Sequence, residues 1–210
     1  MKSQTKRSYD TTKRQAQALQ TRVRILETAK KLFKEEGFDR VTIDKLAKVA
    51  QVSSPTVYAL FQSKTGLVRA LMDEALSKDL YEALLSEGRT KNTPHDWVRI
   101  AAKISRLMYD AEAEYLEFFQ SASVLSPEIK ALEKEREERR YSRQQASIVE
   151  MMEKESVKKG LNLSYVRDVA WAFTSRDMYR MLVLERGWSS DQYEKWLCKL
   201  LSEQFLEISK

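Results

Sequence analysis

An all-α chain is what this sequence predicts, on three grounds. Turn formers are scarce: the 210 residues include 5 Gly and 3 Pro, whereas an all-β chain needs a Gly- or Pro-bearing turn roughly every 8–12 residues. Nearly all of those few sit where helices would start and stop. Between them, apolar residues recur at three and four, the period of a helix with one buried face. The same scarcity excludes collagen-like and low-complexity chains.

The elements follow in order. Residues 1–19, with five Lys/Arg and little apolar content, read as a basic flexible arm or a frayed extension of the first helix. That helix spans about 20–36 on the stripe Leu26, Ala29, Leu32, Phe33 and stops at Gly37, where a left-handed residue is expected. A short helix follows over about 43–50, capped by Thr42, and another over 55–61. Ser63 caps a long helix to about residue 85, with Gly88 behind it. Ser54–Pro55, Thr93–Pro94 and Ser126–Pro127 are each an N-cap followed by the first helical position, where the missing N–H costs nothing. Thr93–Pro94 opens a helix to about 109, followed by one over about 110–124. Ser126–Pro127 opens a highly charged stretch to 159, ahead of Gly160. Helices over 165–185 and 190–208 close the chain, separated by Gly187 and by Ser189 with Gln192 at capping-box spacing. That makes about nine helices and no strand.

The net charge of +6 is unevenly placed: residues 1–70 hold 15 Lys/Arg against 6 Asp/Glu, and the remainder 22 against 25. A basic first third fits phosphate neutralisation with counterion release; on charge alone a solvated face without a partner fits too. Enzyme chemistry is poorly provisioned. His95 is the one histidine, so no two-histidine zinc site forms within a chain, and a Ser–His–Asp relay is conceivable only around it. No Gly-rich phosphate loop appears. The expectation is no enzyme, no catalytic residue, no metal and no cofactor. No apolar run approaches the roughly 20 residues of a membrane span, and the N-terminus lacks a secretory signal. Cys198 is the single cysteine, which rules out an intramolecular disulfide and fits a reducing cytoplasm.

The segment TIDKLAKVAQVSSPTVYALF (42–61) carries the function. Leu46, Ala47 and Ala50 face inward on the first short helix, Val52 fills the turn, and Val57 and Phe61 face inward on the second. This is the packing plan of a helix-turn-helix, whose second helix enters the DNA major groove. Ala47 is small where the two helices approach. The outward face presents Ser54, Thr56, Tyr58 and Ala59, whose hydroxyls can bond phosphate or base edges and whose methyls can meet thymine methyls.

The run ILETAKKLFKEEGFDRVTIDKLAKVAQVSSPTVYALFQSKTGLVRALMD, with its turn Glu36–Gly37–Phe38, its cap Thr42, SSPTVYALF and the pair Ser63–Lys64, resembles the DNA-binding domain of the tetracycline-repressor (TetR) family. The end, DMYRMLVLERGWSSDQYEKWLCKLL, resembles the last two helices of some members. Behind the basic arm (1–19), the resemblance implies a helix-turn-helix DNA-binding domain (20–66) and a helical regulatory and dimerisation domain (67–210). It implies a homodimer on a double-stranded operator. Thr42 and Lys64 would take phosphates, Lys64 aided by the positive helix N-terminus, and Ser54, Pro55, Thr56 and Tyr58 would face the groove or its walls. Lys6, Arg7, Lys13 and Arg14 of the arm could add contacts; a solubilising tail is the alternative. The chain departs from the family pattern at Gln51, where Gly is usual, at Leu60, where a polar or aromatic residue is frequent, and at Thr65, where Glu is.

Two apolar stripes mark the last helices: Val166, Val169, Ala170, Phe173, and Tyr193, Trp196, Leu197, Leu200, Leu201, Phe205. By resemblance, Phe173, Tyr193, Trp196, Leu197, Leu200, Leu201 and Phe205 form a four-helix dimer interface; a monomer core is the alternative. Two-fold symmetry would place two recognition helices about 34–36 Å apart, in successive major grooves. Trp97, Met108, Tyr109, Tyr115, Phe118, Phe119, Met152, Trp171 and Tyr179 are candidates for an effector pocket, since aromatic and Met walls suit a hydrophobic or amphipathic small molecule; core packing explains them as well. Glu114, Gln120 and Arg176 are candidate polar anchors. The charged stretch 128–145 reads as a solvated face, or else as a protein-docking surface. The function expected is a cytoplasmic, ligand-released repressor. The alternative is a DNA-bound scaffold of the same fold that recruits a protein and has no effector.

Overall fold

A computed structural model describes residues 4–74, 78–91, 93–113 and 126–207. Among these, regular structure is helical, apart from an isolated antiparallel bridge between Val157 and Leu206. The chain divides into two compact units, residues 1–72 with 117–129, and residues 73–116 with 130–210.

In the first unit α1 spans Gln4–Glu36, so the segment read as an arm or a frayed extension is extension: the helix continues to Gln4. Its C-terminal half buries Ile25, Leu26, Ala29, Leu32 and Phe33. Gly37 ends it at φ +86°, and Phe38 returns onto Phe33, ring centroids 5.5 Å apart. α2 (Ile43–Val49) is capped by Thr42. α3 (Ser54–Phe61) is capped by Ser53, not Ser54, which moves Pro55 one position further into the helix. α4 (Lys64–Glu74) begins at Ser63, whose Oγ accepts from the Gly66 N–H at 2.9 Å. Gly66 allows the sharp α3–α4 corner: a Cβ there would lie 1.8 Å from the Phe61 carbonyl oxygen. Of the long helix expected from Ser63 to residue 85, Lys64–Glu74 (α4) and Lys78–Lys91 (α5, with Gly88 inside it) are helical, and residues 75–77 lie outside the described residues. The boundary between the two compact units falls inside α4, after Met72.

The second unit holds α5, α6 (Pro94–Glu112), α7 (Pro127–Met152), α8 (Leu163–Phe173), α9 (Arg176–Tyr179) running straight into a π-helical turn (Arg180–Glu185), and α10 (Ser190–Phe205). α6 passes residue 109 without a break; the rest of the helix expected over 110–124 lies outside the described residues, apart from Ala113. α7 stops at Met152, short of 159. The expected helix 165–185 is broken at Thr174. There the hydroxyl bonds back to the Ala170 carbonyl at 2.6 Å, a pattern that bends helices, and Ser175 restarts the chain as the cap of α9.

The core of this unit is a seam in which α10 packs mainly on α6. Val98, Ala102 and Tyr109 meet Tyr193, Leu197, Leu201 and Phe205, with α7 adding Ile148 and Met151 and α8 adding Val166 and Ala170. Past α10, the Lys158 N–H donates to Phe205 O and the Glu207 N–H to Ser156 O, both at 2.9 Å.

Candidate DNA interface and helical core site

The helix-turn-helix is assembled as its spacing predicts. Leu46, Ala47, Ala50, Val57 and Phe61 are buried. The turn is closed by Gln51 N–H to Lys48 O (3.2 Å) and Val52 N–H to Ala47 O (3.0 Å). Gln51 takes the left-handed region at φ +55°, so the residue that departs from glycine adopts the glycine-like backbone anyway. Gln62, after α3, does the same at φ +64°.

The candidate DNA-facing residues gather at the N-terminal half of α3. Pro55 and Tyr58 are exposed and Ser54 and Thr56 half-buried; Tyr58 shows 52% of its surface. The Ser54 hydroxyl donates to Asp44 Oδ1 at 2.5 Å, tying α3 to α2. Ser53 Oγ accepts from the Thr56 N–H (3.3 Å) and lies 2.8 Å from its Oγ1. Thr42 is exposed at the start of α2, with its Oγ1 accepting from the Lys45 N–H at 3.2 Å.

Lys64 is placed less simply. Its ammonium donates to Phe38 O at 2.8 Å and Val41 O at 3.1 Å and sits 4.1 Å from the centroid of the Phe38 ring. Partial burial lowers its pKa, against the field of Asp39. The side chain expected to reach for phosphate therefore braces the α1–α2 turn, with one of its three N–H groups outside these bonds. Arg22 covers Phe61 at 4.9 Å, so part of the basic surface of α1 is anchored to the fold.

In the second unit the pocket candidates scatter. Tyr109 and Tyr179 are buried side by side, 5.6 Å between centroids. Trp97, Met108 and Met152 pack on the rim of the same core. Trp171 is on the surface, 36% exposed, under Arg140 and edge-on to Tyr141; α8 turns its other face inward. Tyr115, Phe118 and Phe119, and the anchors Glu114 and Gln120, lie outside the described residues. The Tyr109 hydroxyl donates to Thr174 O at 2.9 Å, and Arg140 and Gln144 both donate to Thr174 Oγ1 at 2.9 Å. Burial pushes the pKa of Tyr109 and of Tyr179 up to about 12. Tyr193 is fully buried and its hydroxyl has no hydrogen-bond partner; its pKa is raised by the same cause.

The dimer candidates divide as well. Tyr193, Leu197, Leu201 and Phe205 are completely covered within one chain. They form the α6–α10 seam and present no surface to a partner. Phe173, Trp196 and Leu200 remain half-buried; Phe173 lies 6.4 Å and Trp188 5.8 Å from Trp196.

A buried ion cluster was not anticipated. Glu112, fully buried, pairs with Arg136 and with Arg176 (3.3 Å), and Arg176 also meets Glu133 at 3.2 Å. Part of the charged stretch on α7 thus faces inward rather than into solvent. The signal lay in α6: Val98, Ala102, Ser105, Tyr109 and Glu112 are all buried and follow one helical stripe, so a carboxylate on that stripe needed cations. Among the described residues, no three His, Cys, Asp or Glu side chains are grouped to hold a metal, and no helix is long and apolar enough to cross a membrane.

The first unit thus presents a helix-turn-helix on a basic helical segment, and the second unit is helical in its regular structure among the described residues. The tetR family of bacterial regulatory proteins matches residues 25–71, the stretch that holds the helix-turn-helix. Its members are DNA-binding transcription factors and not enzymes. Over 83 residues the chain is 34% identical to the HTH-type transcriptional regulator TtgR of Pseudomonas putida, covering 40% of this chain and 39% of that one. Over 69 residues it is 33% identical to the A-factor receptor protein of Streptomyces griseus, covering 33% and 25%. The matched region thus spans well under two thirds of these relatives' length. In fold it is similar to NalD of Pseudomonas aeruginosa, the secondary repressor of the MexAB-OprM multidrug efflux pump, with TM-score 0.71, 15% identity, and 92% and 100% of the two chains covered. It is also similar to a transcriptional regulator of Saccharomonospora viridis in complex with choline (TM-score 0.64, 20% identity, 90% and 98% covered).

Proposed function

We propose that this chain is a cytoplasmic transcriptional repressor that binds a palindromic operator as a homodimer and is released by a hydrophobic or amphipathic small molecule. One observation carries the reading: α3 stands on a packed helix-turn-helix with Tyr58 exposed and Ser54, Pro55 and Thr56 at its open end, in a segment with a large excess of positive charge. Ser54, Pro55, Thr56 and Tyr58 reach base edges and groove walls, and Thr42 and the remaining N–H of Lys64 take phosphates. Phe173, Trp196 and Leu200 contribute to the contact between protomers.

The effector enters the second unit. The unpartnered Tyr193 hydroxyl, buried among aromatic rings, is where its polar end finds a hydrogen bond. The choline complex of the S. viridis regulator and the repressor role in NalD's description support the reading. Release is a population shift: an effector that binds better when the two recognition helices are out of register with successive grooves lowers operator affinity.

Selection by the purified protein from a randomised duplex library at two salt concentrations tests this. An enriched inverted repeat whose binding weakens steeply with salt is expected. Salt-sensitive binding with no enriched motif would overturn operator recognition. Effectors are then sought by release from the selected site; an effector that binds the second unit and leaves operator affinity unchanged would overturn the release mechanism.

A further inference from the structure

Beside the recognition helix lies an open groove of about 430 Å³, lined by Ala18 and Thr21 of α1 and by Pro55, Thr56, Ala59 and Leu60 of α3. Its spacing is helical on both walls: 18 and 21 share a face of α1, as do 55 with 59 and 56 with 60 on α3. The lining is methyl and methylene groups with two threonine hydroxyls, and that of Thr56 is engaged by Ser53 at 2.8 Å. Such a surface selects poorly among hydrogen-bonding edges. The one apolar feature that base pairs offer in the major groove is the 5-methyl of thymine.

We infer that this groove reads thymine methyls in the operator, with α1 acting beside α3 as a second sequence-reading element. The inference rests on the DNA-binding role proposed above. Continuity and charge choose DNA as the occupant. The groove shares Pro55 and Thr56 with the proposed DNA-facing end of α3. Its α1 wall carries Lys13, Arg14, Arg22 and Arg24 within about two turns of Ala18 and Thr21, a cationic setting that complements phosphate. α1 stays helical to Gln4, about 21 Å beyond Ala18 at 1.5 Å per residue, so the wall is a continuous rigid element rather than a loop. Leu60 is half-buried there, an apolar side chain in a place of use to an apolar ligand group.

The test uses the full chain and its selected operator, with each thymine of a half-site replaced in turn by deoxyuridine, which removes only the methyl. Wild type is compared with Ala18→Gln and Ala59→Gln, both at exposed helical positions, with folding checked by thermal melting. At one or two thymines per half-site, deoxyuridine should weaken wild-type binding about fourfold, equivalent to about 0.8 kcal/mol for a buried methyl-sized group. The filled-groove variants should lose that sensitivity and keep the wild-type salt dependence. Operator binding that tolerates deoxyuridine everywhere overturns this inference alone and leaves the groove to an apolar small molecule or a partner helix. Equal deoxyuridine sensitivity in wild type and variants also overturns it. Failure to select any operator overturns both this inference and the function on which it rests.

Discussion

At the scale of the residue, backbone geometry decides more than side-chain type. Gly66 has an ordinary helical place in the sequence, yet a Cβ there would meet the Phe61 carbonyl oxygen at 1.8 Å, which only backbone movement could relieve. Gly66→Ala should therefore destabilise the first unit by about 3 kcal/mol, the upper range for overpacking. Urea unfolding followed by circular dichroism checks it; a midpoint within error of wild type would show that the α3–α4 corner shifts freely. Tyr109 gives a second residue-scale prediction. Burial raises its pKa to about 12 from about 10 in an unfolded chain, so the fold favours the protonated phenol. That contribution, about 2–3 kcal/mol by linkage, is fully present below pH 10 and is lost as the pH rises toward 12. The melting temperature should fall across that window, and Tyr109→Phe, which cannot ionise, should flatten the fall. An unchanged slope in Tyr109→Phe would place the alkaline loss elsewhere.

At the scale of the element, what could be read in advance was whatever is local. The caps Thr42, Thr93 and Ser189 each accept from a backbone N–H three residues on, and Gly37, Gly160 and Gly187 all take positive φ, because those roles depend on a few neighbouring residues. What depends on distant partners was not legible. The break at Thr174 needs Tyr109, Arg140 and Gln144, which lie 30 to 65 residues away. The stripe on α10 is apolar whether α6 or another subunit covers it, so periodicity could not say that Leu197 is core and Leu200 half-open. Lys64 looked like a free cation because its acceptors, the carbonyls of Phe38 and Val41, are backbone groups that every sequence has. The Glu112 cluster shows the same limit from the other side: the stripe marked the position, but the partners Arg136 and Arg176 came from α7 and α9. Breaking a buried pair costs more than the pair contributes, because a charge is left uncompensated. Glu112→Ala should cost about 3 kcal/mol in urea unfolding, whereas Glu112→Met with Arg136→Met should recover most of it. A single variant as stable as wild type would show that water reaches the cluster.

At the scale of the whole molecule, the two units are joined by one requirement: a palindromic site needs two recognition helices held at a fixed spacing, and one chain supplies one. In the homodimer proposed above, the surface that supplies the second would be one that the second unit leaves uncovered. Trp171, Met181 and Leu184 are each more than a third exposed, and half-buried Phe173, Trp188 and Trp196 form an aromatic patch. An apolar surface of this kind marks a contact site. Leu200→Glu places a charge on the partly open face of α10 without touching the covered seam of Tyr193, Leu197, Leu201 and Phe205. The wild-type chain of 24.5 kDa should sediment at twice that mass and the variant as a monomer, with unchanged helix content. The salt dependence of DNA binding then separates the two ways the molecule can hold a duplex. A dimer neutralises phosphates on both half-sites, so the slope of log affinity against log salt should be about halved in the monomer. Affinity for the selected operator should fall at least about 100-fold, toward that for random duplex. If Leu200→Glu sediments as a dimer, this face of α10 is not the contact. If it is monomeric and still binds the inverted repeat with the wild-type slope, each half-site is recognised independently, and the symmetry of the operator owes nothing to the second unit.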